Sequence, residues 1–404
     1  MKLYVCVTPF FPSPNRWQGA YVLDQVKAIQ RNSDYRVVVF KTNGIFQRER
    51  DYELDGLKVH VIRPLLMPSY FLNGLTEGIV GREFVNTLLK YGYNCEDIAV
   101  VHCHTSNHAA FGFGVKAVNP NAKVLIQFHD LDPYSLRNGK WADKRWNVRY
   151  RARKSLSAFE RADLLISIST PVQDNLLAFP KARPQEILPS YLSRLEHLKD
   201  FPSLKSRKLY ILYNGVDTSV FTKRPRCIKS ADGIFRIGCI ANFQEIKDHM
   251  TLIKAFEILV KKGYKNICLS LLGNGETKSI CKDYIRNNNL EPYVEWPNEV
   301  VHGELPNYYH TLDLFVLPSI YEGFGCVYTE AYACGVPYIG VFNQGAAELI
   351  SPDERPKWLI NPHDYSRLAE LIELYYETRD EQKLWVPYRI DELILSFLKY
   401  IENI

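Results

Sequence analysis

The sequence predicts an α/β protein with two Rossmann-like domains, each built on a parallel sheet that helices cover on both faces. Short apolar runs rich in Val, Ile, Leu and Tyr alternate with stretches of helical periodicity, which is typical of βαβ units. The runs lack polar alternation, so both faces of each sheet are buried. A polar stretch at residues 222–233 interrupts the rhythm, which then restarts, and 404 residues are enough for two domains.

Strands are predicted on both sides of this polar stretch. Those before it are LYVCVT, YRVVVF, VHVI, IAVVHCH, KVLIQF, DLLISIS and LYILY, and those after it are FRIGCIA, NICLSLLG, YVEW, DLFVLPS and VPYIGV. Helices are predicted at residues 21–30, 82–91, 248–261, 277–287 and 325–333. We therefore expect a first domain over residues 1–221 and a second over residues 222–384.

Two further segments complete the predicted organisation. A helix at about residues 385–404 is expected to pack back on the first domain, because apolar residues there have approximate helical spacing. These residues are Leu384, Leu393, Ile394, Phe397, Leu398 and Ile401. Residues 181–208 contain three prolines where a short connection would suffice, which indicates a helical insertion.

Composition restricts the class of protein. Hydrophobic residues make up 46% and charged residues 24%, as in globular proteins. No apolar run reaches the ~18 residues of a membrane span, and the first residues follow a strand pattern, so we expect a cytoplasmic protein. The nine cysteines are scattered, which predicts reduced thiols. A net charge of +5 is too small to indicate nucleic-acid binding.

The residues that follow the predicted strand DLFVLPS carry the strongest chemical signal. Ligands of open α/β sheets bind beyond the carboxyl ends of strands. Here Gly323 and Gly325 allow backbone amides to approach a ligand closely, and a helix begins beside them. The N-terminus of a helix attracts anions, so the segment predicts a diphosphate site.

Two carboxylates flank this helix start. Glu322 and Glu330 would be roughly 12 Å apart if the eight residues between them were helical at 1.5 Å per residue. Eight residues do not return to the same helix face, so we place Glu322 on the loop and Glu330 on the helix. Two glutamates alone would more often be solvated surface residues. Their position between PS, GFG and EAYACGVP favours binding of sugar and ribose hydroxyls instead.

The segment PSIYEGFGCVYTEAYACGVP resembles the E-x7-E segment of family 4 of the retaining glycosyltransferases. These enzymes have the GT-B fold, in which two Rossmann-like domains face a cleft. Further segments in the expected order are YVCVTPFFPSP with Gln18-Gly19-Ala20, VVHCHTSN, QFHD, ERADLLISIS, YNGVDTSVF, IGCIANFQEIKDHMTLIKAF and LLGNGE. The resemblance runs over most of the chain.

The resemblance implies a role for each matching residue. Glu330 would hold the ribose hydroxyls, Glu322 the donor sugar and Lys247 the pyrophosphate. The implied catalytic residues are His129, Lys247 and Glu322. The implied donor-binding residues are Gly19, Asn242, Lys247, Glu322, Phe324, Gly325, Cys326, Val327 and Glu330.

The implied reaction transfers a hexose or N-acetylhexosamine from a UDP or GDP sugar to a glycan or lipid-linked glycan, in surface polysaccharide assembly. In this family the leaving phosphate takes the acceptor's proton on the same face, and configuration is retained without a protein nucleophile. Apart from the nucleotide sugar, we expect no cofactor and no metal.

Two positions depart from the family pattern. Five residues before Lys247 the family usually has an arginine, and this chain has Asn242, which brings no charge. Either another cation such as Arg16 assists Lys247, or activity is weak or the donor unusual. The glycine pair expected in the first loop is Gln18-Gly19.

Other clusters have competing interpretations. A metal site at His102, Cys103, His104 and His108 is disfavoured, because successive strand residues point to opposite faces. The basic, aromatic stretch at residues 140–154 is either a solvated helix face or an interfacial helix on an anionic membrane. The apolar segment 67–72 is a second candidate for acceptor or membrane contact, or a packed loop.

Two other functions remain open on the sequence. The chain could be a catalytically silent nucleotide-sugar-binding partner of a transferase, which Asn242 favours. It could instead be a nucleotide-sugar epimerase of the GT-B fold. An epimerase needs an acid/base pair near the sugar, for which the first domain offers only Asp130 and Asp132.

Overall fold

A computed structural model describes residues 1–13, 19–67, 72, 74–129, 145–178, 200–206, 208–223 and 232–404. Several predicted features lie outside the described residues: Arg16, Gln18, Asp130, Asp132, the greater part of the insertion at 181–208, and parts of segments 67–72, 140–154 and 222–233. The chain divides into two compact units, Met1–Tyr213 with Asp391–Ile404, and Asn214–Ile390.

The first unit contains an eight-stranded sheet. Its strands are β1 (Leu3–Thr8), β2 (Arg36–Thr42), β3 (Tyr52–Leu54), β4 (Leu57–Ile62), β5 (Ile98–His104), β6 (Lys123–Phe128), β7 (Leu164–Ser167) and β8 (Leu209–Ile211). Its helices are α1 (Ala20–Arg31), α2 (Glu77–Lys90), α3 (Ala109–Val118), α4 (Arg145–Arg161) and α5 (Thr170–Ala178). The strand order is β3-β4-β2-β1-β5-β6-β7-β8, parallel except for β3. The order therefore reverses between β1 and β5.

Strand β1 shows why this sheet is buried on both faces. Leu3 and Val5 point to one face, in a core that also contains Phe84 of α2 and Phe111 of α3. Tyr4 points to the other face and is also fully buried. A strand with two buried faces must be apolar at every position, as the sequence pattern predicts.

The second unit contains a six-stranded sheet. Its strands are β9 (Phe235–Ile240), β10 (Ile267–Leu272), β11 (Val294–Glu295), β12 (Leu314–Val316), β13 (Tyr338–Val341) and β14 (Leu359–Ile360). Its helices are α6 (His249–Lys261), α7 (Lys278–Asn287), α8 (Leu305–Tyr309), α9 (Cys326–Ala333), α10 (Arg355–Trp358) and α11 (Tyr365–Thr378). The order β11-β10-β9-β12-β13-β14 is parallel throughout and reverses between β9 and β12.

The second unit begins at Asn214, before the polar stretch at which the sequence suggested a boundary. Val216 and Phe221 are buried in the core of the second unit. The Val216 amide donates to the carbonyl of Tyr388 at 2.9 Å, and the Ile390 amide donates to the carbonyl of Val216 at 3.1 Å. These backbone hydrogen bonds attach residues 214–221 to the second unit.

The C-terminal helix α12 (Ile390–Glu402) lies in the first unit from Asp391 onward. The Phe397 ring packs 5.5 Å from the ring of Tyr210, centroid to centroid, and Arg31 pairs with Asp391 at 2.5 Å. Leu384 is not part of this helix, contrary to its place in the predicted spacing. It forms an isolated antiparallel bridge with Ile350 of the second unit, where the backbone is extended.

The cysteines in the described part of the chain are unpaired, and all except Cys326 are buried. Within the same ranges no helix combines the length and the apolar composition needed to cross a bilayer.

Histidines line the carboxyl end of β5. His102 Nδ1 is hydrogen-bonded to the Tyr4 hydroxyl at 2.7 Å, and His104 Nδ1 to His129 Nε2 at 2.7 Å. The rings of His102 and His104 stack with centroids 4.4 Å apart. Burial lowers the pKa of His102, and also that of His108, to about 3. Burial likewise lowers the pKa of His129 to about 3 and that of His104 well below its usual value. These imidazoles are therefore neutral at physiological pH.

This cluster predicts that the first unit loses stability in mild acid. Histidines of the unfolded chain have a pKa near 6.5, so below that pH the unfolded state binds protons that the folded state excludes until about pH 3. Each such histidine then costs up to about 1.4 kcal/mol of unfolding free energy per pH unit. Urea unfolding between about pH 7 and about pH 5 should show this slope. His102→Gln should make it shallower, and a pH-independent unfolding free energy would contradict the burial of neutral imidazoles.

Candidate functional site

The residues with the strongest chemical signal lie at the carboxyl edge of the second sheet. Lys247 lies in the loop after β9, and Glu322 lies in the loop after β12. These two strands are neighbours at the point where the strand order reverses. In open α/β sheets, loops that diverge at such a point leave a crevice for ligands.

A short ion pair joins these two loops. Lys247 Nζ lies 2.5 Å from Glu322 Oε2, and the Ser319 hydroxyl donates to the same oxygen at 3.2 Å. The backbone closes the same contact, because the Ile320 amide donates to the carbonyl of Ile246 at 2.8 Å. The Lys247 and Glu322 side chains keep 21% and 16% of their surface exposed, so a ligand can reach both.

The loop after β12 is also held from its other side. The Gln344 amide donates to the carbonyls of Ser319 at 2.7 Å and Ile320 at 3.1 Å. The Ala346 amide donates to the carbonyl of Phe324 at 3.0 Å, and Phe324 is 1% exposed. The loop is therefore preorganised by residues that follow β13.

Gly325 allows the loop to turn directly into α9. Its φ of 80° lies in the left-handed region, and a Cβ there would approach a Tyr328 ring carbon to 2.6 Å and Glu322 Cγ to 2.9 Å. Cys326 and Val327 are the first residues of α9, so their amides belong to the first turn of the helix. The positive end of α9 therefore begins beside Glu322.

Glu330 is buried within α9 and has two partners. The Tyr309 hydroxyl donates to Glu330 Oε2 at 2.9 Å, and His302 Nε2 lies 3.4 Å from Glu330 Oε1. Burial first, and then the nearby carboxylate, raises the pKa of Tyr309, which keeps its hydroxyl protonated as the donor. Glu330 therefore has a fixed orientation on α9. Glu322 lies in the loop that precedes this helix.

Asn242 occupies an exposed position in the loop after β9. Its carbonyl accepts a hydrogen bond from the Gln244 amide at 2.8 Å. The same loop contains Phe243, whose ring stacks on that of His249 with centroids 3.9 Å apart. Burial, and then Lys247, lower the pKa of His249 to about 4. The neutral His249 thus adds packing and no charge, and Lys247 is the one cation in residues 241–248.

Gly19 and His129 belong to the first unit. Gly19 precedes α1 with a φ of 90°, and a Cβ there would lie 2.6 Å from the carbonyl of Phe10. His129 follows β6 and packs against Tyr21, with ring centroids 5.0 Å apart. Both residues lie beyond the carboxyl ends of strands, as do Lys247 and Glu322 in the second unit.

Several contacts of the site are absent from the sequence motifs. Tyr309, His302 and Gln344 come from segments distant in sequence, and each has an ordinary local context that signals no function. Ser319 is the last residue of the predicted strand DLFVLPS, and this place at a strand end was the available signal. Among the described residues, no group of three or more His, Cys, Asp or Glu side chains could hold a metal ion.

The second unit therefore assembles one cation, a helix start and two carboxylates at the edge of its sheet. A cation beside the start of a helix suits a phosphate group. Carboxylates with fixed orientation suit hydroxyl groups, because each oxygen accepts hydrogen bonds. The arrangement can bind a diphosphate with a polyhydroxylated group on either side.

Comparison with known families agrees with the division into two units. Residues 18–190 match the family model of Glycosyltransferase Family 4. Residues 226–390 match that of Glycosyl transferases group 1.

Two curated relatives illustrate the sequence similarity. A D-inositol 3-phosphate glycosyltransferase from Paenarthrobacter aurescens is 31% identical over 171 residues, which are 40% of this chain and 42% of the relative. The capsular polysaccharide biosynthesis glycosyltransferase CapM of Staphylococcus aureus is 33% identical over 142 residues, 34% of this chain and 36% of the relative. The matched segments thus span less than half of these relatives.

Solved structures resemble the chain over its whole length. Sucrose-phosphate synthase from Thermosynechococcus elongatus has a TM-score of 0.68 at 17% identity, covering 100% of this chain and 99% of that one. HepE from Anabaena, in complex with UDP and glucose, has a TM-score of 0.67 at 16% identity, covering 100% of both chains. At this identity the similarity shows the fold, two Rossmann-like α/β domains of the GT-B type. With a family match in each unit, the chain belongs to the GT4-like glycosyltransferases of the GT-B fold.

Proposed function

We propose that the chain is a retaining glycosyltransferase that moves a hexose or N-acetylhexosamine from a UDP or GDP sugar to a glycan or lipid-linked glycan. The observation that carries the proposal is the Lys247–Glu322 ion pair, 2.5 Å long, at the reversal of strand order beside the start of α9. A phosphate placed there would meet a lysine and helix amides together, which is how parallel α/β sheets bind phosphates.

The site suggests a donor orientation. The diphosphate would lie against Lys247 and the first amides of α9, those of Cys326 and Val327. Glu330, oriented by Tyr309, would accept hydrogen bonds from the ribose hydroxyls. Glu322, on the loop, would then face the sugar. The sugar, diphosphate and ribose of the donor would thus lie along the segment from Glu322 to Glu330.

Similar proteins support the substrate class. HepE was solved with UDP and glucose, which supports a nucleotide-sugar donor. CapM is named for capsular polysaccharide biosynthesis, which supports an acceptor in surface polysaccharide assembly. We infer a role in such an assembly for this chain, and any contact with lipid-linked acceptors would be peripheral.

The proposed mechanism needs no protein nucleophile. As the bond between the sugar and the distal phosphate breaks, negative charge grows on the leaving oxygen, and the acceptor's proton passes to that phosphate on the same face. Lys247 and the α9 amides would stabilise this charge, since preorganised donors act most strongly where charge develops. In the first unit, the family resemblance implies a role for neutral His129 as a hydrogen-bonding group and a role for the backbone at Gly19.

Replacing Lys247 tests the catalytic part of the proposal. Lys247→Ala should lower kcat for donor hydrolysis or transfer about a hundred-fold, because a preorganised charge on the leaving phosphate is removed. Lys247→Arg should recover part of the loss. Lys261→Ala is the matched control, since Lys261 pairs with Glu257 on α6 and is 71% exposed. A wild-type chain that binds donor and never turns it over would contradict the enzyme and favour a silent partner.

Replacing Glu330 tests the ribose contact separately. Glu330→Gln should weaken nucleoside diphosphate binding about ten-fold, because a charged hydrogen-bond acceptor is lost. Titration calorimetry with a nucleoside diphosphate and its 2′,3′-dideoxy analogue measures this. The wild type should lose affinity for the analogue, and the variant, whose ribose contact is already weakened, should lose much less. Equal losses in both proteins would place the ribose elsewhere.

A further inference from the structure

The loop between β2 and β3 presents two large apolar side chains to solvent. Phe46 is 97% exposed and Ile45 is 59% exposed, at adjacent positions of a turn. Single exposed apolar residues are ordinary on protein surfaces, but two large ones at adjacent positions of a turn form a small exposed apolar patch. Neither side chain contributes to the described core.

The turn is held in this conformation. The Gln47 amide donates to the carbonyl of Gly44 at 3.0 Å, and the Gly44 amide donates back to Gln47 Oε1 at 3.2 Å. From the end of β4, Arg63 Nε donates to the carbonyl of Gln47 at 2.6 Å. The apolar tip is thus preorganised, and little conformational entropy remains to be lost when it binds.

The acidic groups beside the tip are compensated within the unit. Glu49 accepts from Lys41 at 2.9 Å and from Asn43 at 2.8 Å. Asp51 accepts from the Val61 amide at 2.8 Å and lies 3.0 Å from His60 Nδ1. Both carboxylates therefore have hydrogen-bond partners within the first unit, and neither is paired with an arginine of the described ranges.

Two arginines next to the tip remain uncompensated. Arg48 and Arg50 are exposed, and neither forms an ion pair with any residue of the described ranges. The tip therefore combines apolar side chains with free positive charge, which complements the apolar interior and the phosphates of an anionic bilayer surface.

We propose that the turn at residues 44–50, here called the apolar turn, docks the first unit onto an anionic lipid bilayer. Ile45 and Phe46 enter the interface between head groups and acyl chains, and Arg48 and Arg50 contact lipid phosphates. The apolar pair supplies most of the affinity, and the arginines make binding depend on anionic lipid and on salt.

A pocket lies against the base of the apolar turn. Its volume is about 490 Å³, and its lining includes Lys41, Asn43, Arg48 and Glu49. Docking through the apolar turn brings this pocket to the membrane surface. At the membrane surface the pocket would meet the polar head of a lipid-linked acceptor, an inference that rests on the proposed function.

Vesicle flotation tests the docking directly. The wild-type chain should float with phosphatidylcholine vesicles that contain phosphatidylglycerol, and should float poorly with phosphatidylcholine alone or at high salt. Ile45→Ser with Phe46→Ser should lower the partition coefficient at least about ten-fold. Arg48→Gln with Arg50→Gln should lower it about ten-fold on anionic vesicles. Phe46→Trp should bind at least as well as the wild type, because Trp favours the membrane interface.

Matched controls separate the apolar turn from general hydrophobicity. Ile280 and Leu395 are 60% and 53% exposed in helices α7 and α12, and their double replacement by Ser should leave flotation unchanged. Equal flotation of the Ile45 and Phe46 variant and the wild type would overturn the proposal, as would a wild type that ignores anionic vesicles. Dimerisation in place of flotation, lost in the same variant, would assign the turn to a second copy and also overturn it.

A different measurement tests the proposed function. Donor turnover is read in solution without vesicles, and the Ile45 and Phe46 variant should keep the wild-type rate on a soluble acceptor. A protein that floats without turnover contradicts the transferase and leaves the docking intact.

Discussion

The ion pair between Lys247 and Glu322 joins the two halves of the second sheet. Lys247 belongs to the half that runs from β9 to β11, and Glu322 to the half that runs from β12 to β14. A hydrogen bond between Ile320 and Ile246 fixes the same two loops through their backbones. The direction of α9, and with it the position of Glu330, follows from where this loop is held. A ligand that separates the pair must replace its electrostatic stabilisation, and a phosphate on Lys247 with a hydroxyl on Glu322 does so.

Much of the fold could be predicted because it depends on local pattern. The buried strands β1, β5 and β9 are apolar throughout, and helices such as α6 have clear periodicity. The edge strands β3 and β14 escaped prediction, because β3 lies between two aspartates and β14 has only two residues. Leu384 matched the spacing of the last helix by chance, because it lies in an isolated bridge before that helix begins at Ile390.

The candidate site could also be predicted only in part, and again the predictable part is the one that depends on local sequence. The predicted strand end, the glycines and the predicted helix follow one another within one short stretch of sequence. Glu322 could therefore be placed on the loop, Gly325 at the helix start and Glu330 on the helix. The groups that orient them could not. Tyr309 and Gln344 reach the site through the packing of separate elements, and their own neighbours in sequence indicate only core or surface.

The two units contrast in their electrostatics. In the first unit the strand ends carry neutral imidazoles, because burial keeps His104 and His129 unprotonated. In the second unit the strand ends carry charge, with Lys247 and Glu322 partly exposed to solvent. Since Asn242 brings no charge to the loop after β9, we propose that Lys247 is the chief group that would stabilise the leaving phosphate of the proposed reaction. The most direct test is a crystal structure with a nucleoside diphosphate bound. We expect Lys247 Nζ to leave Glu322 and contact the distal phosphate while Glu330 binds the ribose hydroxyls. A nucleotide bound elsewhere, with the Lys247–Glu322 pair intact, would contradict this assignment.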